Sequence, residues 1–359
     1  MIDFKQFPVT RYQGSKRKIA PWIYEHIKDL DFNTALDAFG GSGTISYLMK
    51  KMGKEVTYND KLKFNYLIGK ALIENQRVLF TQGDINNLIQ WTEENEFDDF
   101  IERTFKDVYY LNNENEWLDG ITNSIINMNH YRGATLDYKK CIAYYALFQA
   151  CIIKRPFNLF HRKNLNIRTR DVERNFGNKT TWEKPLGDLF RKFVLEANES
   201  VFNSGTECRA MNLSLFDIQN DNYDLVYMDP PYIAQEGINE AANYLKSYHF
   251  LEGLANYNDW ENLINYDTAN LRFGNVEWQN DFDELTITKT LERMVSKFRD
   301  STIVISYKEG GKPSIKKLKE IVGKYKNRVY TRTTPYSYAL NRSLSHRGKQ
   351  CREVLIIGL

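Results

Sequence analysis

The chain has 359 residues, 42% apolar and 26% charged, the balance of a soluble globular protein with one large domain carrying an insertion, or two domains. Its longest near-apolar run, residues 141–153, contains Gln149 and is too short to span a bilayer, and the first thirty residues lack a basic-then-apolar secretory pattern, so a cytoplasmic protein with no membrane partner is expected. Four cysteines without C-x-x-C spacing and five scattered histidines argue against a metal centre, and none is expected. The net charge of +3 is small but segregated. Residues 84–119 carry eleven acids against two bases, residues 154–179 eight bases against two acids, and residues 308–352 thirteen bases against two acids. Segregated bases of this kind suit either solvated faces or a polyanion lying along one side.

The chain opens with "RYQGSKRKIAPWI" (11–23), where Tyr12, Gly14, Ser15 and Lys16 form either a helix cap or a ligand contact. "NTALDAF" (33–39) is a strand holding Asp37 and Phe39, followed by "GGSG" with Gly41, Ser42 and Gly43. In "TISYLMKKMG", Ile45, Leu48, Met49 and Met52 recur at helical spacing, and Gly53 stands at the helix stop. "KEVTYND" (54–60) is a second strand ending at Asp60. Strand, glycine loop, helix and strand in this order open a doubly wound α/β sheet. The loop is not a phosphate loop, because no Lys-Ser/Thr follows Gly43, and it is not the G-x-G-x-x-G of dinucleotide enzymes. Asp60, placed to accept hydrogen bonds from ribose hydroxyls, points to a ligand containing a nucleoside.

Beyond Asp60 the alternation of strands and helices stops. An acidic stretch, an apolar helix (141–153) and the basic segment "KRPFNLFHRKNLNIRTR" (154–170) suggest a subdomain at 78–200 inserted into a sheet domain of 1–77 and 201–359. Strands resume at "YDLVYM" (223–228) and "STIVISY" (301–307), a helix is predicted over 314–324, and "NRVYTRT" and "EVLIIGL" finish the chain as strands. In "VYMDPPYIA" (226–234), Pro230 and Pro231 stop the strand and stiffen a turn that carries Asp229 and Tyr232. After the turn, Tyr244, Tyr248, Leu251 and Leu254 share a helical stripe of core type, and His249 suits a packing role.

"RYQGSK", "DAFGGSG", "ND" at 59–60 and "DPPY" at 229–232, in that order, closely resemble the Dam-type, or D12 class, adenine-specific DNA methyltransferases, with the motif order of the alpha group. The resemblance implies a Rossmann-like methyltransferase sheet, S-adenosylmethionine as cofactor, double-stranded DNA as partner, and transfer to the N6 amine of a flipped-out adenine. A companion restriction enzyme stays open. It implies cofactor contacts from Tyr12, Gly14, Ser15, Lys16, Asp37, Phe39, Gly41, Ser42, Gly43 and Asp60, with Asp229 beside them. The family's acid near the end of the third strand is replaced here within "MNLSLFD" by Asn212 or Ser214, Ser214 being the expected contact, with Asp217 slightly beyond.

The implied catalytic residues are Asp229, Pro230, Pro231 and Tyr232. The Asp229 carboxylate and the Pro230 carbonyl would accept the two amine N–H bonds, and Tyr232 would offer a ring face for stacking, its hydroxyl being unnecessary. In the insertion, Arg155, Asn158, His161, Arg162, Lys163 and Arg168 are the expected DNA contacts, in a stretch similar to the family's recognition hairpin. The alternatives are a methylase of cytosine N4 or RNA, which Asp229 in place of Ser disfavours, and a DNA-binding relative without catalysis, which intact Asp60, Asp229 and Tyr232 disfavour.

Overall fold

Apolar residues that alternate faces along short strands decide the architecture. The computed structural model describes residues 2–9, 11–170, 179–234, 244–274, 286–336 and 351–359. Its strands are β1 (Thr34–Asp37), β2 (Glu55–Asn59), β3 (Arg209–Met211), β4 (Leu225–Met228), β5 (Ile233–Ala234), β6 (Thr302–Lys308), β7 (Gly311–Lys312), β8 (Val329–Tyr336) and β9 (Cys351–Gly358). Seven of them form one sheet in the order β3-β2-β1-β4-β6-β9-β8, and β5 pairs with β7 separately. β3, β2, β1, β4 and β6 are mutually parallel, whereas β9 runs antiparallel between β6 and β8. Ala35, Leu225, Tyr227, Val304, Leu355 and Ile357 pack on one face, and Leu36, Val226, Met228, Ile303, Ile305 and Ile356 on the other. Both faces are covered, which is why these strands appear in the sequence as apolar runs without polar alternation.

The helices are α1 (Ala20–Ile27), α2 (Thr44–Lys51), α3 (Lys63–Gly69), α4 (Gln82–Glu94), α5 (Phe100–Thr104), α6 (Asn112–Asn127), α7 (Gly133–Ile153), α8 (Leu165–Thr169), α9 (Lys179–Glu183), α10 (Leu186–Ser200), α11 (Tyr244–Ala255), α12 (Trp260–Leu263), α13 (Ile287–Lys297) and α14 (Ile315–Gly323). Leu291 and Met294 of α13, with Leu318 and Ile321 of α14, cover the second face. The first face continues through Leu48 of α2 and Phe64 of α3 into Leu147 and Phe148 of α7. Among the described residues, 82–200 contain helices and no strand. They share that hydrophobic cluster with the sheet, so the helical part is seated on the same core. α4 starts where Thr81 and Asp84 cap each other reciprocally: Thr81 Oγ1 accepts from the Asp84 amide at 3.2 Å, and the Asp84 carboxylate from the Thr81 amide at 2.6 Å. Among the described residues no helix is long and apolar enough to cross a membrane.

Candidate active site

The sheet order reverses between β1 and β4, and in open α/β sheets the crevice beyond the strand ends at such a reversal is where ligands sit. Asp37 ends β1, and the turn that begins at Asp229 follows β4. The glycine loop and the Asp229 turn therefore face one crevice.

On the glycine-loop side, Gly41 has φ of 50°, a backbone conformation that suits glycine, and its amide donates to Asp60 Oδ2 at 2.8 Å. The Leu62 amide donates to the other oxygen of Asp60 at 2.8 Å. Burial pushes the Asp60 carboxyl up to about 6 against these backbone bonds. Asp37 Oδ2 accepts from the Ser46 hydroxyl at 2.6 Å, while its Oδ1 is buried with no hydrogen-bond partner. Burial raises Asp37 to about 7, over the opposing bond from Ser46 and with help from the Asp229 and Asp60 charges. A buried and a half-buried carboxylate lining a close-approach loop, the buried one with an oxygen to spare, fit a ligand that carries positive charge and hydroxyl donors. Phe39 is half-buried on the second core, and Gly43 opens α2 with φ of 73°.

The amino-terminal motif folds onto this loop. Ser15 Oγ lies 3.3 Å from Thr44 Oγ1 and 3.4 Å from Ser42 Oγ, so three hydroxyls knit residues 15, 42 and 44 together. Tyr12 stacks between Tyr244 and Tyr248, with ring centroids 5.4 and 4.8 Å away, and its hydroxyl accepts from Asn65 at 3.2 Å. A Cβ on Gly14, whose φ is 82°, would lie 2.7 Å from the Tyr244 hydroxyl. Tyr248, Leu251 and Leu254 are core residues as expected, but Tyr244 belongs to the wall of the site. Its position in a helical apolar stripe concealed that role, and nothing local in the sequence separates it from Tyr248.

Lys16, expected at the cofactor, meets the Asp229 turn. Its ammonium is 2.8 Å from Asp229 Oδ2, donates to the Tyr232 hydroxyl at 2.5 Å, and lies 3.9 Å from Glu353 Oε1. Burial works against its charge, but Asp229 and Glu353 outweigh burial and hold its pKa above the ordinary lysine value. The Tyr232 hydroxyl in turn donates to Asp229 Oδ1 at 2.7 Å, so both carboxylate oxygens are engaged in a closed ring of three side chains. Beside the ring face expected of Tyr232, its ring meets Tyr307 edge-on at 5.1 Å and its hydroxyl bridges Lys16 and Asp229. Pro230 is buried and Pro231 half-buried, and the chain leaves the turn through β5, which β7 pins down. At the end of β3 the Asn212 amide donates to the Asp60 and Lys61 carbonyls at 2.8 and 2.9 Å. Ser214 lies half-buried in the next turn, its carbonyl accepting from the Asp217 amide.

The basic segment differs most from expectation. It forms a short turn at Pro156–Asn158 and α8, with no hairpin strand among its described residues. Arg155 is fully buried and donates to the carbonyls of Leu159, Tyr109, Arg162 and Lys163 at 3.3, 3.2, 2.7 and 2.7 Å. The Arg168 side chain is 4% exposed and donates to Glu114 at 2.7 Å. Burial raises the Glu114 carboxyl, but Arg168 and Lys154 prevail and hold it below its usual range. Arg155 and Arg168 are therefore internal braces rather than surface groups, because burial and bonds to carbonyls and a buried acid hold both guanidiniums inward. What they brace is a loop that exposes Arg162, Lys163 and Phe157, the last 63% exposed, with Asn158 and His161 half-buried. His249 is fully buried against the Tyr109 hydroxyl at 2.7 Å, and burial lowers it to about 3, a neutral core histidine.

Residues 12–326 match the D12 class N6 adenine-specific DNA methyltransferase family. The chain is similar to the Type II methyltransferase M2.HphI of Haemophilus parahaemolyticus, 26% identical over 341 residues and 93% of each chain. It is also similar to the Modification methylase LlaI of Lactococcus lactis subsp. lactis, 25% identical over 264 residues, which span 70% of this chain and 39% of that protein. With its motifs gathered at one crevice and the family matched from the amino-terminal motif to beyond the last parallel strand, the chain belongs to the D12 class N6 adenine-specific DNA methyltransferases.

Proposed function

We propose that this enzyme takes its methyl group from S-adenosylmethionine and delivers it to an adenine flipped out of a specific site in double-stranded DNA, in the cytoplasm. The observation that supports this most is the meeting of the glycine loop and the Asp229 turn at the switch point, with Ser15 bonded to the loop and its neighbour Lys16 to Asp229. Asp37, Asp60, Tyr12 and the Gly41 loop would hold the cofactor: the spare oxygen of Asp37 suits its positive charge, and Asp60 its ribose. When bound, S-adenosylmethionine supplies an electrophilic methyl group on a sulfonium.

The chain's own residues shape the nucleophile. An adenine amine is a weak one because its lone pair is delocalised into the ring. The Asp229 carboxylate and the Pro230 carbonyl accept its N–H bonds and favour a tetrahedral nitrogen, with the lone pair aimed at the methyl group. Each carboxylate oxygen has a second lone pair, so Asp229 accepts the amine while it still holds Lys16 and Tyr232. The stiff proline turn keeps both acceptors in place. A paired base cannot reach such a crevice, hence the flip.

The helical part at 78–200 is assigned to target recognition, through Asn158, His161, Arg162 and Lys163 on the exposed loop. The relatives' names, Type II methyltransferase and modification methylase, favour a partner restriction enzyme of the same site specificity. Transfer of tritiated methyl groups into DNA, with nucleoside analysis of the product, tests the reading. N6-methyladenine is the expected product, and Asp229→Ala should slow transfer on the order of a hundred- to a thousandfold. N4-methylcytosine, or an Asp229→Ala variant at wild-type rate, would overturn it.

A further inference from the structure

We infer that Glu353 is a positioning residue for methyl transfer, acting on Asp229 through Lys16. The inference rests on Asp229 being the acceptor of the adenine amine. Topology brings Glu353 to the site. β9 runs antiparallel between β6 and β8, so its first residues reach the edge at which β1, β4 and β6 end. In register Glu353 stands opposite Lys308, at the end of β6, and opposite Thr334. It has the same parity as Leu355 and Ile357, and so faces the side of the sheet on which the first core is built.

Its side chain is 1% exposed, and Oε1 lies 3.9 Å from the Lys16 ammonium. That separation is too long for a hydrogen bond and short for a charge interaction in a buried place, where salt screens little. Lys16 is thus shared between two carboxylates, tightly with Asp229 at 2.8 Å and loosely with Glu353. An ammonium bound to a single buried acid locks the acid's orientation but draws on the electron density the amine must find there. A second carboxylate behind the ammonium offsets that draw. Lys16 then fixes Asp229 without weakening it as an acceptor.

Single-turnover methyl transfer at saturating cofactor and DNA, with separate equilibrium binding of each, tests the role. Glu353→Gln keeps the shape and removes the charge. Its rate should fall about tenfold or more, the scale on which groups one step removed from the chemistry act, with both affinities within about twofold of wild type. Glu353→Asp, which keeps the charge, should recover part of the rate. A Glu353→Gln variant at wild-type rate, or one whose loss is matched by lost cofactor or DNA affinity, overturns the inference. If glutamine prevents folding, Glu353→Leu, which also removes the charge, takes its place, and a rate equal to wild type overturns the inference. Asp229→Ala assayed alongside separates the failures. If it is active, the reading of Asp229 is wrong; if it is inactive while Glu353→Gln is fully active, only the role of Glu353 is wrong.

Discussion

Replacing Arg155 and replacing Arg162, seven residues apart in one basic segment, should have opposite consequences. Arg155 is fully buried, stacks 4.4 Å over the Tyr109 ring and holds four carbonyls. Burial lowers its guanidinium to about 10, so it remains charged at neutral pH. Arg155→Met keeps much of the stem's volume but leaves the Leu159 carbonyl without its donor and the Tyr109 carbonyl with only the 3.5 Å bond from Arg168, at ~1–3 kcal/mol for each buried group. The desolvation of the guanidinium is no longer incurred, which offsets part of this, and the expected net loss is about 3 kcal/mol. Arg162 is exposed, and Arg162→Ala should change stability by no more than ~0.5 kcal/mol. In DNA binding the order reverses. Arg162→Ala should flatten the slope of log K against log salt by up to ~0.9, the contribution of one phosphate contact, and Arg155→Met should leave it unchanged wherever the protein is folded. Urea denaturation and a salt titration of DNA affinity measure the two quantities. An Arg155→Met protein of wild-type stability with a flattened slope would show that the guanidinium turns outward to the phosphates.

Tyr232→Phe should slow transfer about tenfold, the equivalent of one hydrogen bond to a charged group, because the hydroxyl holds Asp229 and receives Lys16. A wild-type rate would return Tyr232 to a stacking role alone. Asp37 has a pKa raised to about 7 by burial, and only its ionised form attracts a cation. Affinity for S-adenosylmethionine should therefore be full above that value and weaken as pH falls through it, by up to ~tenfold per unit. Asp37→Asn should bind more weakly and lose that dependence; calorimetry giving a flat wild-type profile between about pH 5.5 and 8 would exclude Asp37 from the cationic end of the site.

Much of the sheet and half of the site were legible from the residues alone. Strands β1, β2, β4, β6 and β9 stand out because strands buried on both faces need apolar runs, and the glycine loop and the proline turn mark themselves by local backbone chemistry. Those signals are short-range, and so is what they determine: which strand ends carry Asp37, Asp60 and Asp229. The direction of a long charged side chain is not short-range. Arg155 and Arg162 are equivalent in a basic segment, and only the fold shows that four carbonyls converge on one and solvent surrounds the other. Tyr244 and Glu353 stayed hidden for a related reason. A tyrosine in a helical stripe and an acid at the head of an apolar strand have ordinary local explanations. Their places at the crevice come from α11 packing along Tyr12, and from an antiparallel strand whose beginning meets the ends of its neighbours. Sequence patterns report the faces and ends of elements, whereas the meeting of charges from different elements depends on sheet order, which only long-range packing sets.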